Sequence, residues 1–255
     1  MAPTQGARRV LVTGGGRGLG AAIVRALAAA GHDVTFTYRS SADEAEAAAR
    51  ALTATHPAQN FEALRIDLSD RDAVAAFAST LGDDAPYGGF VHNAGHTYDA
   101  LALMMDQAKA EVAMQVNFWA FTRLANALVR PMMRAKNGRV AVIGSVTALQ
   151  ANQGNAAYAA SKAALLAYAR TLAVEVARTG VTVNYVAPGF IDTEMLAPYA
   201  KFRDTMEGQI PVRRFAAPEE IASVVAFLMS PGASYLTGAV LPVDGGLSAA
   251  LGVRR

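Results

Sequence analysis

Apolar residues in this chain come in short, nearly unbroken runs, separated by longer stretches in which they recur at helical spacing. Arg8 to Thr13 reads as a first strand broken by the glycines that follow, and Gly18 to Ala30 as a helix ended by Gly31. Asp33 to Tyr38 predicts a second strand and Ala42 to Thr55 an Ala/Glu-rich helix. Further strands are predicted at Phe61 to Ile66, Gly89 to His92, Arg139 to Ile143, Val181 to Val186 and Val240 to Val243, with helical stretches between them. Several of these runs are apolar at consecutive positions, which suits strands covered on both faces of a parallel sheet. Strands alternating with helices indicate βαβ units with right-handed crossovers. With no linker, repeat or low-complexity break, residues 1–255 are expected to form one α/β domain. It would be doubly wound, with a mostly parallel seven-stranded sheet and helices on both faces.

One segment breaks the pattern. Ile191 to Phe215 holds Pro198 and Pro211, with Met195, Leu196, Tyr199, Phe202, Met206 and Ile210 spread between them. It reads equally as a surface helix pair packing inward or as a lid, about 191–215, over an apolar substrate.

Composition removes whole classes of function. Hydrophobic residues make up 53% and charged residues 17%, ample for a large core. Lys and Arg number 23 against 21 acidic residues, and no basic run is interleaved with aromatics, so no nucleic-acid partner is expected. There is no cysteine, which excludes disulfides, thiolate catalysis and Cys-ligated metals. The histidines (His32, His56, His92, His96) show no metal-ligand spacing, so no metal site is expected. The first apolar run, Val10 to Val12, does not make a leader, and no span approaches the roughly 20 apolar residues needed to cross a bilayer. A cytoplasmic protein without a membrane partner is expected.

Thr13-Gly14-Gly15-Gly16-Arg17-Gly18-Leu19-Gly20 follows a strand and opens a helix. Glycines there tighten the turn and let backbone amides approach a pyrophosphate, which the helix N-terminus also favours. No Lys-Ser/Thr follows the last glycine, so this is not a nucleotide triphosphate loop but a Rossmann-type dinucleotide cradle. An acid at the end of the second strand would bind the ribose 2′-hydroxyl of NAD. Arg39 and Ser40 stand there instead, and Arg17 is a second cation nearby, so NADP(H) is the expected cofactor.

Tyr158 and Lys162, four residues apart on a helix, project from one face. A neighbouring ammonium should bring the tyrosine pKa down from its ordinary value near 10. Ser145 follows the Arg139 strand, where its hydroxyl could bond a substrate oxygen. The tyrosine-lysine spacing alone is common on surface helices, but this order with the glycine loop is specific.

On these residues the chain resembles the classical short-chain dehydrogenase/reductases, most closely the β-ketoacyl-[acyl carrier protein] reductases. Asp67-Leu68, Asn93-Ala94-Gly95, Asn117, Asn184 and Pro188-Gly189 extend the likeness to Val243-Asp244-Gly245-Gly246. The resemblance implies Tyr158 as general acid and Ser145 positioning the carbonyl. It gives Lys162 to the tyrosine pKa and the nicotinamide ribose, and Asn117 to a proton-relay water. It places Asp67 at the adenine and Ile191 and Thr193 at the carboxamide. Asn93 would support the cofactor, with Leu68, Ala94, Gly95, Pro188 and Gly189 lining it. The activity implied is NADPH-dependent reduction of a 3-ketoacyl thioester in fatty-acid or polyketide synthesis. The resemblance also implies a homotetramer and an acyl carrier protein as partner, with Arg130 as candidate contact. Two departures stand out: Thr179 where a second carrier-binding arginine is usual, with Arg178 one position earlier, and His92 where asparagine is common. The rivals are a reductase of free ketones, sugars or steroids, and a non-catalytic NADP-binding sensor.

Overall fold

The computed structural model describes residues 9–81 and 86–250, which leaves Arg8, assigned above to the first strand, outside the described residues. Seven strands form one sheet: β1 (Arg9–Thr13), β2 (Asp33–Tyr38), β3 (Phe61–Arg65), β4 (Gly89–His92), β5 (Gly138–Ile143), β6 (Val181–Pro188) and β7 (Val240–Val243). Their order is β3-β2-β1-β4-β5-β6-β7, and every pairing is parallel. Parallel neighbours need crossovers, and helices supply them.

On one face lie α1 (Gly18–Ala29), α2 (Ala42–Thr55) and α8 (Pro218–Met229). On the other lie α3 (Arg71–Thr80), α4 (Gln107–Met114), α5 (Ala120–Arg134) and α6 (Ala156–Val176). Consecutive strand residues divide between the two cores. Val10, Val12, Phe36, Val91, Ala141 and Ile143 pack with Ile23, Leu27, Ile221 and Val225 of the first helix layer. Leu11, Phe90, Val140, Val142 and Val183 pack with Phe121, Leu124, Leu165 and Ala173 of the second. The unbroken apolar runs in the sequence are thus two interleaved faces, each burying residues worth about 1.5–3 kcal/mol per large side chain. The two edge strands, β3 and β7, are the exceptions, with no fully buried position in either.

Chain direction reverses its lateral progress between β1 and β4, which places a crevice beyond the carboxyl ends of these strands. Over that end runs a 3₁₀ stretch, Glu194–Phe202, followed by the short α7 (Arg203–Glu207). Met195 and Phe202 there are exposed, whereas Ile210 and Phe215 beyond α7 are buried anchors. Among the described residues no helix is long and apolar enough to cross a membrane.

Candidate active site

The glycine loop is held from both sides. Gly14 N–H donates to Thr37 Oγ1 (3.2 Å) and Gly15 N–H to the Thr37 carbonyl (2.8 Å). From β4, the Asn93 amide donates to the carbonyls of Thr13 (3.2 Å) and Gly14 (2.9 Å). Asn93 therefore fixes the shape of the cradle itself. Gly20 cannot be replaced within it: a Cβ there would lie 1.9 Å from the Gly14 oxygen. Gly16 and Gly18 complete the turn, and Leu19 packs into the core beneath it. The N-terminus of α1 has no side-chain cap and no acid in its first turn, whereas Asp70 and Asp106 cap α3 and α4. Uncapped amide donors with a cation beside them fit an anionic pyrophosphate.

Arg17 is exposed and pairs with Glu194 of the 3₁₀ stretch (3.2 Å). Such a pair is worth about 0–1 kcal/mol, little enough for a phosphate to displace. Arg39 and Ser40 are exposed just past β2, where the Arg65 guanidinium donates to the Arg39 carbonyl (3.4 Å). Arg65 was not singled out from sequence, because only the β2–β3 register brings it beside Tyr38 and Arg39. Hydrogen bonds from the Ser69 hydroxyl and amide hold the Asp67 carboxyl below its ordinary range, with Arg39 adding to the effect. Leu68 is buried, and its carbonyl accepts from Gln115 (3.2 Å).

Ser145, Tyr158, Lys162 and Asn117 come together at the carboxyl end of β5. Tyr185 fixes the serine: Ser145 N–H donates to Tyr185 Oη (3.1 Å), which itself donates to the Lys162 carbonyl (3.2 Å). The Ser145 hydroxyl oxygen accepts from the Thr147 amide (3.1 Å) and hydroxyl (2.9 Å). Lys162 is buried, donates to the Ile143 carbonyl (2.8 Å), and lies 5.8 Å from the centre of the Tyr158 ring. Asn117 sits in a π-helical turn, Gln115–Trp119, between α4 and α5. Its side chain accepts from His96 N–H (2.7 Å) and donates to the His96 carbonyl (3.0 Å) and Ser161 Oγ (2.8 Å). Ser161 in turn donates to the Tyr158 carbonyl (2.7 Å).

The tyrosine does not behave as its spacing to lysine suggests. Burial pushes Tyr158 up to about 12, a hydrogen bond with Ser145 opposes this, and the Asp99 carboxylate adds to it. Lys162 spends its ammonium on the Ile143 carbonyl and is itself lowered to about 8 by burial. Tyr158 is consequently a neutral phenol at neutral pH, suited to giving a proton.

The last wall comes from the end of β6. Gly189 N–H donates to the Val243 carbonyl (3.1 Å), carrying the chain from Pro188 past β7. Ile191 bridges Ala216, and Thr193 stands against Gly18 of the glycine loop. Above them Tyr199 donates to Asp99, which also accepts from Asn155. Asp99, Ser161 and Tyr185 were not singled out in the sequence, and Tyr199 was noted only as one apolar residue of the 191–215 segment. Their partners lie far along the chain, and only Ser161, next to Lys162, carried a local signal. Tyr98 Oη makes a local contact only, accepting from Asp106 N–H (2.8 Å).

Fold and constellation together define an oxidoreductase of the short-chain dehydrogenase/reductase class. The chain belongs to that family: the family model described as enoyl-(acyl carrier protein) reductase matches residues 14–248. It is similar to the 3-oxoacyl-[acyl-carrier-protein] reductase MabA of Mycobacterium tuberculosis, 40% identical over 94% of this chain and 92% of that protein. The corresponding reductase FabG of Pseudomonas aeruginosa is 42% identical over 93% of this chain and 96% of its own. Among solved structures, a short-chain dehydrogenase/reductase from Serratia marcescens superposes with a TM-score of 0.88 at 34% identity, covering 95% of this chain and 98% of its own. A protein assigned as an NAD(P)-dependent gluconate 5-dehydrogenase from Beutenbergia cavernae, with NADP bound at low occupancy, gives 0.91 at 33% identity, covering 96% and 98%.

Proposed function

We propose that this protein reduces a 3-ketoacyl thioester, carried on an acyl carrier protein, to the 3-hydroxyacyl form. The observation that carries the reading is the meeting of Ser145, Tyr158 and Lys162 beside an uncapped, cation-flanked glycine loop. The named activity of the bacterial relatives supports the substrate class.

NADPH, when bound, supplies the hydride. Thr13 to Gly20 would receive its pyrophosphate, with Asn93, Ala94 and Gly95 beside it and Asp67 and Leu68 at the adenine. Arg17 and Arg39, with Ser40, would meet the 2′-phosphate, and Pro188, Gly189, Ile191 and Thr193 the nicotinamide end. The Ser145 hydroxyl holds the substrate carbonyl oxygen and stabilises charge growing there. Tyr158, held neutral, gives that oxygen a proton. Lys162, buried beside the Tyr158 ring, would hold the nicotinamide ribose. Asn117 keeps the His96 segment and the Tyr158 helix in register and serves the path by which the proton returns.

The 191–215 segment acts as a lid, held on the cofactor side by Glu194 on Arg17 and on the substrate side by Tyr199 on Asp99. Arg130 is exposed on α5 and available to an acidic carrier. Thr179, where the second arginine is absent, turns its hydroxyl onto the Val176 carbonyl (2.6 Å), while Arg178 beside it is exposed. That loss of a cation favours a second reading, a reductase of free ketones, sugars or steroids. A homotetramer in the cytoplasm is part of the main proposal; exposed Val112 and Trp119 on one side and Phe227 and Tyr235 on the other suit subunit contacts. Light scattering showing a monomer at micromolar concentration would remove the tetramer.

The test is NADPH oxidation at 340 nm, with NADH in parallel, on acetoacetyl thioester carried by the protein carrier or by a small thiol. Faster NADPH-specific turnover of the carrier form, weakened by Arg130→Glu, supports the proposal. Turnover of free ketones alone supports the second reading. Tyr158→Phe should bind NADPH and lose nearly all turnover; if turnover persists, Tyr158 is not the acid.

A further inference from the structure

His92 ends β4 and is fully buried, yet it touches both halves of the site. Its Nδ1 lies 3.0 Å from Thr13 Oγ1. That hydroxyl oxygen already accepts two backbone donors, Asn93 N–H (3.1 Å) and Ala94 N–H (3.2 Å). A threonine oxygen has two lone pairs and one hydrogen. With both lone pairs occupied, the hydrogen must go to His92, so Nδ1 is an acceptor and the ring proton sits on Nε2.

Nε2 lies on the opposite side of the ring, buried and without an acceptor in hydrogen-bonding geometry. The ring packs against Phe121 (5.3 Å between centroids) and Phe90 (6.1 Å). Phe121 is the second residue of α5, just beyond the π-helical turn that carries Asn117. The charged form is strongly disfavoured: burial, with Lys162 adding to it, lowers His92 to about 3.

We propose that His92 is a positioning residue, fixed as the neutral Nε2–H tautomer, that accepts the Thr13 hydroxyl hydrogen and holds that side chain under the cofactor cradle. It holds Thr13, and through it the Asn93 and Ala94 amides, in place. The proposal rests on the reductase reading for its kinetic consequences, while its tautomer does not depend on it.

The experiment has two arms. In the wild-type protein, long-range ¹H–¹⁵N correlations of the His92 ring should show the Nε2–H tautomer at pH 7 and at pH 5.5. An Nδ1–H tautomer, or an imidazolium at either pH, overturns the proposal whatever the substrate proves to be. In the second arm, His92→Asn keeps an acceptor for Thr13, whereas His92→Phe keeps the ring volume and removes the acceptor. The Phe variant should raise KM for NADPH about 10-fold and lower kcat as well, the scale expected for one unmatched buried hydroxyl. The Asn variant should stay within about threefold of wild type, despite its smaller side chain. A packing role predicts the reverse ranking, and a Phe variant as good as wild type overturns the proposal. A wild-type enzyme that turns over no carbonyl substrate would instead strike the reductase reading and leave the tautomer standing.

Discussion

Replacing Tyr185 with phenylalanine removes one oxygen from the centre of the molecule and leaves the ring in place. Tyr185 is 1% exposed, and its ring fills the space beside Gly144, where a Cβ would fall 1.7 Å from the ring. The hydroxyl accepts from Ser145 N–H (3.1 Å) and donates to the Lys162 carbonyl (3.2 Å). Burial raises its pKa beyond any ordinary pH, so it is always able to do both. Two net hydrogen bonds at about 1 kcal/mol each give a loss of about 2 kcal/mol, weighted toward the orphaned Ser145 amide. For a chain of this size that is a fall of about 4–8 °C in Tm. Ser145 also loses its main-chain tether, so kcat should fall several-fold at saturating NADPH, because small misplacements near the chemistry are costly. The assay is urea unfolding followed by circular dichroism, paired with steady-state kinetics at a temperature where both proteins are folded. An unchanged urea midpoint together with unchanged kcat would refute the claim that Tyr185 holds the serine.

Asp99→Asn removes a carboxylate that raises Tyr158 and holds Tyr199. The alkaline limb of the pH–rate profile should move to lower pH, and KM should change through the loosened lid; an unmoved limb would separate Asp99 from the tyrosine. His92 makes stability depend on acid. Its folded pKa of about 3 lies below the ordinary 6.5, so between these values the unfolded chain binds a proton the folded one refuses. Stability should therefore fall as pH drops below about 6.5, by up to about 1.4 kcal/mol per unit, and His92→Asn should flatten that slope in urea midpoints measured at pH 7 and pH 5.

Most strands were legible because consecutive apolar residues needed two cores. β2, β4 and β7 have the predicted bounds, while β5 starts at Gly138 and β6 continues through Pro188, with every position buried. β3 stops at Arg65, one residue earlier than periodicity suggested, because its partner β2 ends at Tyr38, whose carbonyl takes the last cross-strand bond from the Ile66 amide. The π turn at Asn117 was invisible, since nothing in a local apolar pattern marks one extra residue in a helix. Short motifs disclosed Ser145, Tyr158 and Lys162. Asp99, Tyr185 and Arg65 could not be read that way, because their roles come from partners tens of residues distant. The 191–215 segment was left open between helix pair and lid; it is 3₁₀ structure and one short helix, exposed at Met195 and Phe202. The expected lowering of Tyr158 by Lys162 is corrected by burial, which no spacing rule contains.

The position of β1 has a consequence for the making of the protein. It lies inside the finished sheet, yet only β2 follows it closely; its other neighbour, β4, leaves the ribosome about fifty residues after β2 ends. Through that interval the edge formed by Val10, Leu11 and Val12 has no partner strand, and these are among the most apolar positions of the fold. An open apolar edge is a template for pairing with other chains. The stretch that becomes the floor of the cofactor cradle is therefore an aggregation-prone edge in the nascent chain, and synthesis speed between Tyr38 and Gly89 sets how long that edge stays open.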